Sequence, residues 1–144
     1  KSEIFDDDLV ALVSDARASA GHEKYKLSSL NVTSQTGETP VANLVVSVDG
    51  QEHSAEASGS GPVDAAFKAI EQVAASGANL QLYSVNAITS GTDSQGEVTV
   101  RLEKAGRIVN GLGADTDIII ASAKAYLHAL NLLDANIQKA HPQV

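Results

Sequence analysis

At 144 residues the chain can bury a substantial core as one domain or as two fused half-domains. Eighteen acidic against ten basic residues give a net charge of −8, and no long block of either sign interrupts the balance, so nucleic acid and anionic membrane are excluded as partners. With no cysteine, no tryptophan, two Phe and three Tyr, disulfides, thiolate metal sites, cysteine catalysis and aromatic platforms for stacking bases are excluded as well.

The chain begins at Lys1 and has no methionine, which leads us to expect a piece of a longer protein with another domain on its N-terminal side. No apolar run approaches the roughly 18 residues that span a bilayer, and no basic-then-apolar leader is visible, so a cytoplasmic protein is expected. Residues 4–20 predict a helix: Phe5, Leu9, Leu12 and Val13 fall at i, i+4, i+7 and i+8, and Asp6 caps it, with Asp7 and Asp8 at the positive end of the dipole. Gly21 ends it. The segment 1–21 reads as a linker helix, and 22–144 as the domain proper, in halves of about 25–77 and 78–134.

From Tyr25 to Ala57 the period changes to two. Ala42, Leu44, Val46 and Val48 share one face, Asn43, Val45 and Ser47 the other, and Asp49-Gly50 predicts a hairpin. The return strand alternates His53, Ala55 and Ala57 with Glu52, Ser54 and Glu56. Pro62 suits a first helical residue, and Val63, Ala66, Phe67, Ile70, Val73 and Ala74 form the apolar stripe of a helix stopped at Gly77.

The second half repeats this order. A strand over Leu80–Thr89 places Tyr83, Val85, Ala87 and Thr89 on one face; a polar loop at 90–96 precedes strands at Glu97–Glu103 and Arg107–Asn110, joined by Ala105-Gly106. A helix to about Leu133 follows, with Ile119, Ala123, Tyr126, Leu127, Leu130 and Leu133 on one broad face and Ala121, Ala125 and Ala129 allowing close packing beside it. The tail to Val144 is polar. The fold class is α+β: internally duplicated βββα units behind a linker helix, whose half-covered sheets are completed by pairing of the halves or of two chains into a dimer.

Two Gly-x-Gly stretches, Gly59-Ser60-Gly61 and Gly111-Leu112-Gly113, read as turns that deliver the chain into helix starts, 52 residues apart from Gly61 to Gly113. A helix start leaves backbone N–H groups unpaired, and glycine lets a ligand come close, so each turn suits a small anion such as a carboxylate. Val63 and Ile118 beside them suit an aliphatic group. On local spacing alone such turns are more often plain tight connections than binding loops, and neither stretch is a dinucleotide fingerprint or a P-loop. Other chemistry has weaker support. His22, His53, His128 and His141 stand singly, without metal-ligand spacing, and there is no Gly-x-Ser-x-Gly elbow. Asp115 and Asp117 can be read as acid and base, or as helix caps.

Taken together, Lys1–Leu12 (KSEIFDDDLVAL), Gly59–Ala65 (GSGPVDA), Tyr83–Thr89 (YSVNAIT) and Gly111–Ser122 (GLGADTDIIIAS) resemble the C-terminal regulatory domain of 2-isopropylmalate synthase. The resemblance covers nearly the whole chain. It implies a homodimeric acyltransferase whose catalytic barrel, outside these residues, condenses acetyl-CoA with 2-oxoisovalerate using a divalent metal, and a regulatory domain that binds leucine without catalytic residues or a cofactor of its own. It also implies an effector site in which Gly59, Gly61, Pro62 and Val63 contact the ligand, Leu80, Tyr83 and Ala87 shape an aliphatic pocket, and Gly113, Ala114, Asp115, Thr116, Asp117 and Ile118 lie near the polar end. Loop N–H groups are expected to take the carboxylate, and carbonyls or Asp115 and Asp117 the ammonium. The isoleucine-binding domain of citramalate synthase is similar, and a ligand-free dimerisation module also fits the pattern.

Overall fold

A computed structural model describes residues 23–90 and 93–140, so the helix expected over 4–20 and the tail at 141–144 lie outside the described residues. The elements run β1 (Tyr25–Thr33), β2 (Val41–Val48), β3 (Gln51–Ser58), α1 (Pro62–Ala74), β4 (Asn79–Ser90), β5 (Asp93–Lys104), β6 (Arg107–Asp115) and α2 (Ile118–Ala140). They form two antiparallel sheets, β1-β2-β3 and β4-β5-β6, each followed by its helix.

The duplication is visible residue by residue. Ala42, Leu44 and Val46 of β2 are fully buried, as are Val98, Val100 and Leu102 of β5, each 56 positions later. The hairpin residues Asp49-Gly50 and Ala105-Gly106 are also 56 apart. Each pair has two consecutive positive φ angles, 51° and 87° in the first and 54° and 83° in the second, the turn geometry whose twist matches that of the flanking strands. In the first strand of each unit a bulge restores the parity of the apolar residues. Leu27 and Leu30 sit opposite Val46 and Leu44 with a register shift between them, and Leu80 and Tyr83 sit opposite Leu102 and Val100 in the same way.

That register corrects the expected repeat of 52 residues: the spacing is 53 in the first strands and 56 from the second strands onward. It also corrects the second glycine turn. Gly111-Leu112-Gly113 lies within β6, and the connection to α2 is Thr116-Asp117. These glycines serve packing instead. A Cβ on Gly111 would sit 2.2 Å from the carbonyl oxygen of Ala125, and one on Gly113 2.3 Å from that of Ala121, so their absence brings α2 down onto the sheet through its alanine stripe.

Smaller departures have equally local causes. β4 and β5 extend to Ser90 and Asp93, shortening the expected loop, and α2 continues to Ala140. Helix α1 ends at Ala74, before Gly77: Ala75 turns left-handed with φ 47°, and its N–H bonds the carbonyl of Glu71 at 2.7 Å. Over residues 118–134, helix α2 is buried around most of its circumference, not along one face, because it meets β5 and β6 below and β1 at its side.

The two helices touch at the centre of one shared core. Phe67 packs on Tyr126 with ring centroids 4.6 Å apart, the Tyr126 hydroxyl donates to Glu71 at 2.7 Å, and further along Ala74 and Ala75 line the same crevice as Leu130 and Leu133. Contacts advance in the same order along both helices. They therefore lie side by side and parallel, with their N-termini at one end of the molecule.

Candidate functional site

At that shared end the two helix starts differ in chemistry. Helix α1 begins after Gly61, which has extended backbone (φ −154°) and no side chain with which to cap; Pro62 follows, with no N–H to offer. The carboxylate of Asp64 turns back to accept the N–H of Ser60 at 3.0 Å and pairs with Lys68 at 3.2 Å, and these partners, the Ser60 amide first, hold it below the ordinary carboxylate range. Gly59 is required by contact: a Cβ there would lie 2.5 Å from the amide nitrogen of Ala65.

Helix α2 begins closed. Asp117, which occupies the place of Gly61, accepts the N–H groups of Ile119 at 2.8 Å and Ile120 at 3.3 Å. Asp115 accepts the Asp117 amide at 2.9 Å and pairs with Lys124 at 3.1 Å, and these partners lower its pKa in that order. Thr116 donates its hydroxyl to the same Asp115 carboxyl at 3.4 Å. In the structure, then, Asp117 acts as the helix cap and Asp115 as an amide acceptor and ion-pair partner, and the amides of the second helix start are largely occupied from within.

Between the two starts stands Tyr83. Its ring meets Phe67 edge-on at 5.9 Å, and its hydroxyl lies 2.7 Å from Ser122 of α2. Val63 is one turn before Phe67 on α1 and is half-buried against the same core. Ile118 lies over Gly96 of β5, a position where a Cβ would overlap its Cδ1, and Gly96 is the register partner of Ala87. The structure thus groups Gly59, Gly61, Pro62, Val63, Tyr83, Ala87 and Ile118 at one end. Leu80 lies toward the other end of β4, at its exposed edge.

Gly113 and Ala114 are placed elsewhere. They border a cleft of about 490 Å³ on the far flank of α2, between the edges of β1 and β6, with Lys124, Leu127, His128 and Asn131 as its floor. His128 is there for a structural task, accepting the N–H of Leu112 at Nδ1 over 2.9 Å. No group of three or more potential metal ligands occurs among the described residues, and no helix among them is long and apolar enough to cross a membrane.

The family model for the LeuA allosteric (dimerisation) domain matches residues 3–133, well over half of the chain. The chain belongs to this family. Relatives similar to this LeuA-type domain include the 2-isopropylmalate synthases of Nitrosospira multiformis, 67% identical over 144 residues, and Thiobacillus denitrificans, 64% identical over 144 residues; all of this chain and 28% of each relative are covered. The 2-isopropylmalate synthase of Chromobacterium violaceum is 69% identical over 133 residues, 92% of the chain and 26% of the relative. The LeuA-type domain therefore spans little more than a quarter of the length of these relatives.

Within the LeuA-type domain, sequence reasoning missed two residues that build the Tyr83 environment. Phe67 was legible only as a core stripe residue. Ser122 carried a signal that spacing could have given: it lies one turn after Ile118, whose carbonyl its hydroxyl bonds at 2.7 Å, so it is a polar side chain on a buried helical face.

Proposed function

We propose that this domain binds a branched aliphatic amino acid, L-leucine first, and that binding feeds back on a 2-isopropylmalate synthase of which the chain is the regulatory part. The carrying observation is the open start of α1, which has no side-chain cap and carries Val63 in its first turn, with Tyr83 packed on Phe67 one turn further on. An uncapped helix N-terminus offers N–H groups and a positive dipole end to a carboxylate, and the neighbouring side chains offer apolar contact to a branched hydrocarbon tail. Burial of such a tail contributes roughly 1.5–3 kcal/mol, which together with the carboxylate contacts suits affinity in the micromolar class. The capped α2 start is the weaker of the two for an anion, so one site per chain is expected at this end.

In this reading the condensing chemistry, with its divalent metal and acetyl-CoA, belongs to a catalytic barrel elsewhere in a longer cytoplasmic chain, and the domain acts as a homodimer without turnover. Family membership and the synthase relatives favour leucine over isoleucine. Titration calorimetry with leucine, isoleucine and valine tests it: saturable leucine binding with weaker isoleucine supports the reading. A preference for isoleucine moves the domain to a citramalate-type regulator. Absence of heat with all three leaves a dimerisation module without a ligand.

A further inference from the structure

The two sheets have four edge strands, β1, β3, β4 and β6, and three of them are guarded. An exposed strand edge is a template for another chain, and proteins blunt it with charge, proline or a covering group. On β1, Asn131 occupies the edge at Tyr25, taking its N–H at 2.8 Å and giving a hydrogen bond to its carbonyl at 2.9 Å, and Lys26 stands next to it. On β6, His128 takes the N–H of Leu112, and Arg107 and Asp115 lie at the two ends. β3 carries Glu52 and Glu56.

β4 has none of these. Its sequence NLQLYSVNAITS contains no charged residue and no proline over 12 residues, its backbone pairs among the described strands only with β5, and the bulge between Leu80 and Leu82 leaves regular register from Leu82 to Ser90. Apolar side chains are exposed along it: Leu80 is 48%, Leu82 37% and Val85 45% accessible. We propose that β4 is the contact strand for a second copy of this chain, paired antiparallel with itself across a two-fold axis so that the two β4-β5-β6 sheets become one six-stranded sheet.

Charge selects the occupant. Two copies carrying −8 each repel over most of their surface, and an uncharged edge is where they approach at least electrostatic cost. Antiparallel self-pairing is also the arrangement that a two-fold axis generates from one strand, and it closes after two copies, leaving no free β4 edge for fibre growth. The inference rests on the reading that the domain dimerises and names the surface that does so.

The chain has no cysteine, so single-cysteine variants report contact without background. Ser84→Cys and Asn86→Cys are made on β4 and Asn110→Cys on the guarded β6 edge, each oxidised at low concentration and run on non-reducing gels. Ser84→Lys/Asn86→Lys and, as control, Asn110→Lys are compared with the parent by sedimentation, with circular dichroism to verify folding. The expected result is a dimer that cross-links through β4 and not through Asn110→Cys, and that falls to monomer only in the β4 lysine variant. A dimer that persists in the folded β4 lysine variant without β4 cross-links overturns the β4 assignment and leaves dimerisation standing. A parent chain that sediments as a monomer overturns the dimer reading itself. A β4 lysine variant that does not fold is replaced in the comparison by Asn86→Lys alone, with the cross-linking pattern deciding.

Discussion

Tyr83 donates its hydroxyl to Ser122, 2.7 Å away, because Ser122 has already committed its own proton to the carbonyl of Ile118. The bond ties the edge strand β4 to the first turns of α2 and holds the Tyr83 ring against Phe67 of α1. Replacing Tyr83 by Phe keeps the ring contact and removes a hydrogen bond, so we expect a loss of about 0.5–1.5 kcal/mol in chemical denaturation. Tyr83→Ala also removes the aromatic contact and is expected to cost more, about 2–4 kcal/mol for a half-buried ring. Equal costs for the two variants would show that the ring packing contributes nothing.

The two helix starts make a matched test of the proposed site. Gly61→Asp gives α1 the cap that Asp117 gives α2; nothing lies within 4 Å of a Cβ at Gly61, so the domain should fold with stability unchanged or raised by a few tenths of a kcal/mol. Leucine affinity should fall at least about tenfold, since a carboxylate then meets both an occupied amide set and a like charge. Calorimetry that returns the parent affinity for this variant rules out the α1 start as the carboxylate site.

Gly113→Ala is predicted to destabilise by about 1–3 kcal/mol or more, because its Cβ would press on the backbone of α2 at Ala121 and Ala125. From spacing alone the glycine reads as a turn residue, and a melting temperature unchanged by the substitution would overturn the packing role.

Glu71 gathers three donors: the hydroxyl of Tyr126 at 2.7 Å, the hydroxyl of Ser76 at 2.6 Å and the amide of Ser76 at 3.0 Å. Burial, followed by the Glu71 carboxylate, pushes the Tyr126 hydroxyl far above the usual tyrosine range, so it stays a donor throughout the working pH range. Glu71→Ala leaves that buried hydroxyl without its partner, and we expect a loss of about 1.5–3 kcal/mol by urea denaturation. Glu71→Gln, which retains an acceptor, should lose less.

The carboxyl of Asp115 is held below its ordinary value of 3.8, first by the Asp117 amide and then by Lys124. A depressed folded-state pKa means the folded protein binds the proton less readily than the unfolded chain. The contribution is therefore present above about the ordinary value and is lost as pH falls through the lower folded value. Thermal melts at pH 6 and pH 3 should show the parent more stable than Asp115→Asn at the higher pH and the difference shrinking at the lower. A constant gap across that range contradicts the assignment.

Much of the fold was legible because its periods are local. Ala42, Leu44 and Val46 alternate as a strand must, Asp49-Gly50 names its turn, and Pro62 with the Ala66, Phe67 and Ile70 stripe names a helix start and face. For the site the sequence offered residue types but not their placement: Val63 and Ile118 lie in the first turns of α1 and α2, and Tyr83 meets Phe67 and Ser122 one turn further on, whereas Gly113 and Ala114 line the cleft on the other flank of α2. A Gly-x-Gly pair looks the same whether it bends the chain or makes room for a neighbour, and at 111–113 it makes room.

What the sequence by itself determined was the α+β class, the duplicated order of elements and the acidic, cysteine-free character, since each follows from residues near one another or from sums over the chain. Only the tertiary structure decided which repeat positions correspond, that the two helices run parallel with one open and one capped start, and that β4 alone among the described edges is unguarded. Those are relations between residues brought together by packing: Gly113 with Ala121, Tyr83 with Ser122, Asn131 with Tyr25 across 106 positions of chain. Each depends on distance and direction in space, which side-chain periodicity along one segment does not encode.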